Sequence, residues 1–170
     1  VFSQDQSLKK TLHYVETKLP LPIYPYSIKP TDASRRFQNL FFETLVDDNA
    51  QNNNFESRHI NIESCKVDGD RFIFDIKKGW LWNDGWGKEV TRYDIKYSIE
   101  EAKELFSPYV IDEVKIEGGK IVLQLNKNHP ESIKEDILDR MRHVMVVPDE
   151  FSNNLKGFRK KPKGTGPFGW

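Results

Sequence analysis

Phe72-Ile73-Phe74-Asp75-Ile76-Lys77-Lys78-Gly79-Trp80-Leu81-Trp82-Asn83-Asp84-Gly85, followed five residues later by Thr91-Arg92-Tyr93-Asp94-Ile95-Lys96-Tyr97-Ser98-Ile99, decides the fold. Its first part is rich in aromatic and β-branched residues, the composition of a half-buried strand. Its second part opens with Thr91 and Asp94 at capping-box spacing, then places Ile95, Ile99, Ala102 and Phe106 on one side of a helix that must end before Pro108. Strand, aromatic turn and amphipathic helix therefore follow one another directly.

Working outward, Ile60 to Cys65 reads as a second strand, joined to the first through Asp68-Gly69 in a hairpin over 60–77. Downstream, Gly118-Gly119 links Val114-Lys115-Ile116 to Ile121–Leu125 in another hairpin, because glycine tolerates the positive φ of a two-residue turn. Pro130 opens a short helix to about Arg140, and Val144–Val147 before Pro148 reads as a buried strand. Upstream, Thr31 or Asp32 caps a helix whose Phe37, Leu40, Phe41, Thr44 and Leu45 recur at steps of three and four. Asp47 to Glu56 is asparagine-rich and expected to be a loop. Residues 10–17 suggest a strand, and Pro20, Pro22, Pro25 and Pro30 an extended surface segment. The stretch 149–170 is expected to be irregular, with five basic residues from Lys156 to Lys163. Separate hairpins and helices, without strict strand-helix alternation, give an α+β class in a single domain over 1–170.

The chain has 170 residues, 37% of them hydrophobic, enough to build one core. Lys+Arg and Asp+Glu are both 26, so no global field attracts nucleic acid or an acidic membrane. The basic residues at 156–163 read as a solvated loop, and no nucleic-acid partner is expected. Cys65 is alone, which rules out an intrachain disulfide. Leu19 to Ile28 is the longest uncharged stretch, too short and too rich in proline to cross a membrane. Val1-Phe2-Ser3-Gln4 is compatible with the end of a processed leader.

Together with Asn39-Leu40-Phe41-Phe42-Glu43-Thr44-Leu45-Val46, Val146-Val147-Pro148 and Gly164-Thr165-Gly166-Pro167-Phe168, the opening stretch resembles the family 5 extracellular solute-binding proteins. These are the peptide, dipeptide and nickel receptors of ABC importers. The family pattern runs aromatic-x-aromatic-x-Leu-Arg-x-Gly-x-x-aromatic-x-Asp-Gly, then Thr-Ala-x-Asp-Val-x-Tyr-Ser, and this chain follows it in order and spacing over 12–168. Lys78 fits the arginine-glycine neighbourhood only loosely, and Trp80, Trp82 and Trp86 exceed the usual tryptophan content, as in a divergent member.

The resemblance implies the N-terminal part of lobe I of a type II periplasmic-binding-protein fold, a mixed or antiparallel sheet with packed helices. Family members run to roughly three times this length, so the second lobe is expected to be missing, whether by expression, proteolysis or natural truncation. It further implies a peptide or other small solute as ligand, an ABC permease as partner of the full-length protein, and a periplasmic or extracellular home, with or without a lipid anchor. Carried onto this sequence, the ligand contacts are Asp32, Ala33, Ser34 and Tyr109. Asp32 and Ser34 serve equally well as helix caps, and Tyr109 as a packed core residue.

Two other functions have a basis in the residues. Trp80, Trp82 and Trp86 with Asn83 and Asp84 form the ingredients of a sugar-stacking platform, or Trp80 and Trp82 share one strand face against the helix over 91–106. A ligand-sensing domain of a transcription regulator is the other, although no recognition helix precedes it. No catalytic residue, metal site or cofactor is expected. The four histidines lack ligand spacing, no Gly-x-Ser-x-Gly elbow occurs, and the acid pairs lie side by side in sequence.

Overall fold

The computed structural model describes residues 25–26, 32–52, 54–82, 87–152 and 164–165. The expected strand over 10–17, most of the proline segment, the Asn83–Trp86 turn and the basic stretch from Lys156 to Lys163 lie outside the described residues.

A four-stranded antiparallel sheet in the order β3-β4-β6-β5 forms the centre: β3 Ile60–Asp68, β4 Arg71–Ile76, β5 Ile111–Glu117 and β6 Lys120–Leu125. Both expected hairpins are present. Asp68 pairs with Arg71 around Gly69 at φ 64°, and Glu117 pairs with Lys120 around Gly118 and Gly119 at φ 56° and 86°. A turn with positive φ at both central residues matches the right-handed twist of the strands it joins. The two hairpins meet through β4 and β6, where Phe72 lies opposite Leu123 and Phe74 opposite Ile121, all fully buried.

Helix α2, Arg92–Glu101, packs over β5 and β6. Its capping box forms as expected: the Thr91 hydroxyl accepts from the Asp94 amide, and the Asp94 carboxylate accepts from the Thr91 amide. Ile95, Ile99, Ala102 and, through the following 3-10 turn Lys103–Phe106, Phe106 are all buried against Val114, Ile121 and Leu123. Helix α3, Lys134–Met141, follows a 3-10 turn Glu131–Ile133 that Pro130 opens. It buries Ile137, Leu138 and Met141.

Four expectations are corrected. Helix α1 spans Asp32–Phe41 and does not reach Thr44 and Leu45. Thr44 instead bridges to Met145 and Leu45 lies in a bend, because the Leu45 amide donates to the Val144 carbonyl and the Val146 amide to the Glu43 carbonyl. Val144, Val146 and Val147 are buried as expected and Met145 partly so, but the run is not a regular strand. It makes a single antiparallel bridge, Thr44 to Met145, since its partner segment is only a few residues long. The segment Asp47–Glu56 is not a plain loop: β1 Asp47–Asp48 pairs with β2 Phe55–Glu56. Its asparagines supply the turn, with Asn49 Oδ1 accepting from the Gln51 amide at 2.9 Å and Asn52 Oδ1 from the Asn54 amide at 3.0 Å. Finally, Trp80 and Trp82 do not lie together on α2. Trp82 is buried in the core with Val90 and Ile95, whereas Trp80 is 38% exposed with the Arg58 guanidinium 5.4 Å from its ring centroid. Backbone bonds from Val90 to Trp80 and from Trp82 to Lys88 make these residues a short ribbon leading into α2.

Gly164 lies so close to α1 that a Cβ there would stand 1.8 Å from the Phe41 carbonyl oxygen.

Candidate functional site

The segment after α1 is tied to the start of β3 by Ser57. Its hydroxyl donates to the Leu45 carbonyl at 2.6 Å and accepts from the amides of His59 at 3.0 Å and Ile60 at 2.9 Å. This places Arg58 and His59 on either side of Glu43. Arg58 Nη1 is 2.7 Å from Oε1, and His59 Nε2 lies 3.3 Å from Oε2. Arg58 is thus shared between a carboxylate and the face of Trp80, an arrangement suited to its planar guanidinium.

β3 is not the regular strand its sequence suggests. Register shifts between Asn61, opposite Asp75, and Lys66, opposite Ile73, so extra residues of β3 bow outward. Ser64 holds the bulge: its hydroxyl donates to the Asn61 carbonyl at 2.7 Å and accepts from the Asp75 amide at 2.8 Å, standing in for a lost ladder bond. Cys65 beneath it is buried, and desolvation pushes its thiol up to about 12. An inert thiol is the consequence.

Between the end of α1, the β1–β2 hairpin, the bulge and α3 lies a half-open cleft of about 1040 Å³. Its walls carry both signs of charge, with Glu43, Asp47, Glu56, Glu63 and Glu135 acidic and Arg58, Lys77 and Lys134 basic, and Phe42 and Leu138 among the apolar surfaces. A cleft of this size and mixed lining can hold a small polar ligand. It offers no nucleophile paired with a base and, among the described residues, no group of three or more His, Cys, Asp or Glu placed to hold a metal.

The residues that the sequence nominates lie elsewhere. Asp32, Ala33 and Ser34 form the first turn of α1, away from the helix end that borders the cleft. Tyr109 is half-buried against the core, with its hydroxyl donating to Asp136 Oδ2 at 2.7 Å and its ring edge-on to His129 at 5.3 Å. The bond to Asp136 holds the Tyr109 phenol above its ordinary value. None of the four lines the cleft. Glu43 stands inside a quoted motif, but neither its partners nor the bulge had a signal in the sequence.

No family model and no curated protein matches the chain. Solved structures do. This is a portion of a periplasmic-binding-protein fold. The solute-binding protein MoaA from A. tumefaciens R10, in complex with mannopinic acid, superposes with a TM-score of 0.64 at 19% identity, over 86% of this chain and 31% of that one. The oligopeptide-binding protein AppA from Bacillus subtilis, in complex with a nonapeptide, gives 0.59 at 22% identity, over 82% and 30%. The ABC transporter-associated periplasmic binding protein DppA from Helicobacter pylori, in complex with the peptide STSA, gives 0.59 at 22%, over 85% and 33%. This chain therefore spans about a third of the length of the binding-protein structures it matches. The sequence resemblance to family 5 solute-binding proteins thus has its counterpart in the fold. No helix among the described residues is long and apolar enough to cross a membrane.

Proposed function

We propose that this chain is the part of lobe I that contributes one wall of a solute-binding cleft, in a receptor that delivers a peptide or similar small solute to an ABC-type importer. One observation carries the reading: more than four-fifths of the chain adopts the fold of binding proteins whose structures hold mannopinic acid, a nonapeptide or a tetrapeptide. The contacts are Asp32, Ala33 and Ser34 at the start of α1, together with Tyr109. Extended peptides are held largely by backbone hydrogen bonds, which explains why so few diagnostic side chains are needed. A second lobe closes over the solute and the closed form docks on the permease, so affinity reflects the difference between open and closed states. The work is binding and not catalysis, in the periplasm or at the cell exterior, with or without a lipid anchor.

The sugar-platform alternative loses its main support, since Trp82 is only 4% exposed and cannot offer a face to a ligand. Titration calorimetry of the chain against di- and tripeptides tests the proposal. Saturable binding weakened by Tyr109→Ala supports it, and the absence of binding to any of them argues against it.

A further inference from the structure

Tyr109 is held from three separate parts of the chain. Its amide donates to the Phe106 carbonyl at 2.9 Å, its ring meets His129 edge-on at 5.3 Å, and its hydroxyl donates to Asp136 Oδ2 at 2.7 Å. The supports are themselves fixed. The His129 amide donates to the Gly69 carbonyl at 2.9 Å, in the turn between β3 and β4. Asp136 lies in the first turn of α3, a helix that Ile137, Leu138 and Met141 anchor in the core.

An ionised carboxylate can only accept, so the single phenol proton is committed to Asp136. The Tyr109 oxygen keeps lone pairs and can meet a second group only as an acceptor. Asp136 is exposed and Tyr109 partly so, which leaves the pair within reach of a solute. Arg140, one turn further along α3, brings positive charge near the phenol, but the bond to Asp136 is the stronger influence and holds the phenol proton in place.

We infer that Asp136 is a positioning residue for Tyr109, orienting its phenol so that the solute must offer a hydrogen-bond donor, an N–H or O–H, at this contact. This role rests on the solute-binding reading, of which Tyr109 is one contact, and adds the polarity of the group that Tyr109 takes. A carbonyl or carboxylate oxygen at the same point would face two acceptors and be rejected.

Calorimetric titration of the 170-residue chain with trialanine, repeated on D136L, D136E, Y109F and the double variant Y109F/D136L, is the test. D136L frees the phenol proton, whereas D136E keeps an acceptor within reach. D136L and Y109F should each weaken binding about fivefold, D136E should restore most of the affinity, and D136L should cost nothing further once Y109F has removed the hydroxyl. The Tyr109 Cζ signal should titrate lower in D136L than in the parent chain, because the bond to Asp136 is what holds the phenol up. Dispersed spectra of every variant check its folding. Unchanged or tighter binding by D136L, an equal loss in the Y109F background, or an unmoved Tyr109 titration overturns the role of Asp136 and leaves the solute-binding reading standing. A parent chain without saturable binding overturns that reading, and the role of Asp136 with it.

Discussion

The Asp94 carboxylate joins two parts of the chain 55 residues apart: Oδ2 accepts from the Thr91 amide at 2.7 Å and hydroxyl at 2.8 Å, and Oδ1 accepts from the Asp149 amide at 2.9 Å. One side chain thereby caps α2 and fixes the turn that follows Val146-Val147-Pro148. Ser98, one turn along, repeats the link, accepting from the Val147 amide at 2.9 Å. The two motifs quoted from the sequence are thus one structural unit.

Replacing Asp94 by alanine removes the cap and leaves the part-buried Asp149 amide without its acceptor. The expected cost is about 2–3 kcal/mol, or a fall in Tm of about 5–10 °C for a domain of this size. A thermal melt checks it. Burial holds the Asp94 carboxyl above its ordinary 3.8, although bonds from Asp149 and Thr91 oppose the shift. A raised carboxyl contributes stability fully below pH 3.8 and loses it as pH rises through the folded value. The stability gap between the parent chain and Asp94→Asn should therefore narrow as pH rises from 4 towards neutrality.

Gly164→Ala places a methyl group 1.8 Å from the Phe41 carbonyl oxygen and 3.0 Å from the Phe42 ring. Neither backbone can yield freely, so overpacking should cost about 1–3 kcal/mol. Denaturant unfolding measures it, and amide shifts at Phe41 and Phe42 should accompany the loss.

The two described tryptophans of the ribbon should separate sharply. Trp82→Ala empties a core position and should cost about 3–5 kcal/mol, whereas Trp80→Ala forfeits a surface contact with Arg58 worth about 0.5–1 kcal/mol. Urea melts of both variants decide this, and equal effects would contradict the burial described above.

Cys65 should resist thiol reagents at pH 8 in the folded chain and react once urea unfolds it, because its thiol titrates at about 12. The sign follows the same linkage: the folded thiol keeps its proton while the unfolded one loses it. Stability should fall between an ordinary thiol value of 9.0 and about 12.

Hairpins and α2 were legible because their signals are local. Gly118-Gly119 demands a particular turn, and Thr91 with Asp94 sit three residues apart and satisfy each other. Where partners come from far away, the sequence misled. Thr44 and Leu45 keep helical spacing, but the backbone bonds from Leu45 to Val144 and from Val146 to Glu43 draw the segment out of the helix. Ile60 to Cys65 alternates like a regular strand, whereas its bulge depends on Ser64 reaching Asp75 eleven residues on. The Glu43–Arg58–His59 cluster likewise exists only once Ser57 clamps two distant segments together.

The claim that this chain carries one wall of a solute-binding cleft is tested most directly by calorimetric titration with a set of di- and tripeptides, on the parent chain and on Tyr109→Ala. The account predicts saturable but weak binding, weaker than about 10 μM for want of a closing lobe, and reduced further by the substitution. No heat of binding with any peptide, or affinity untouched by loss of Tyr109, would contradict it.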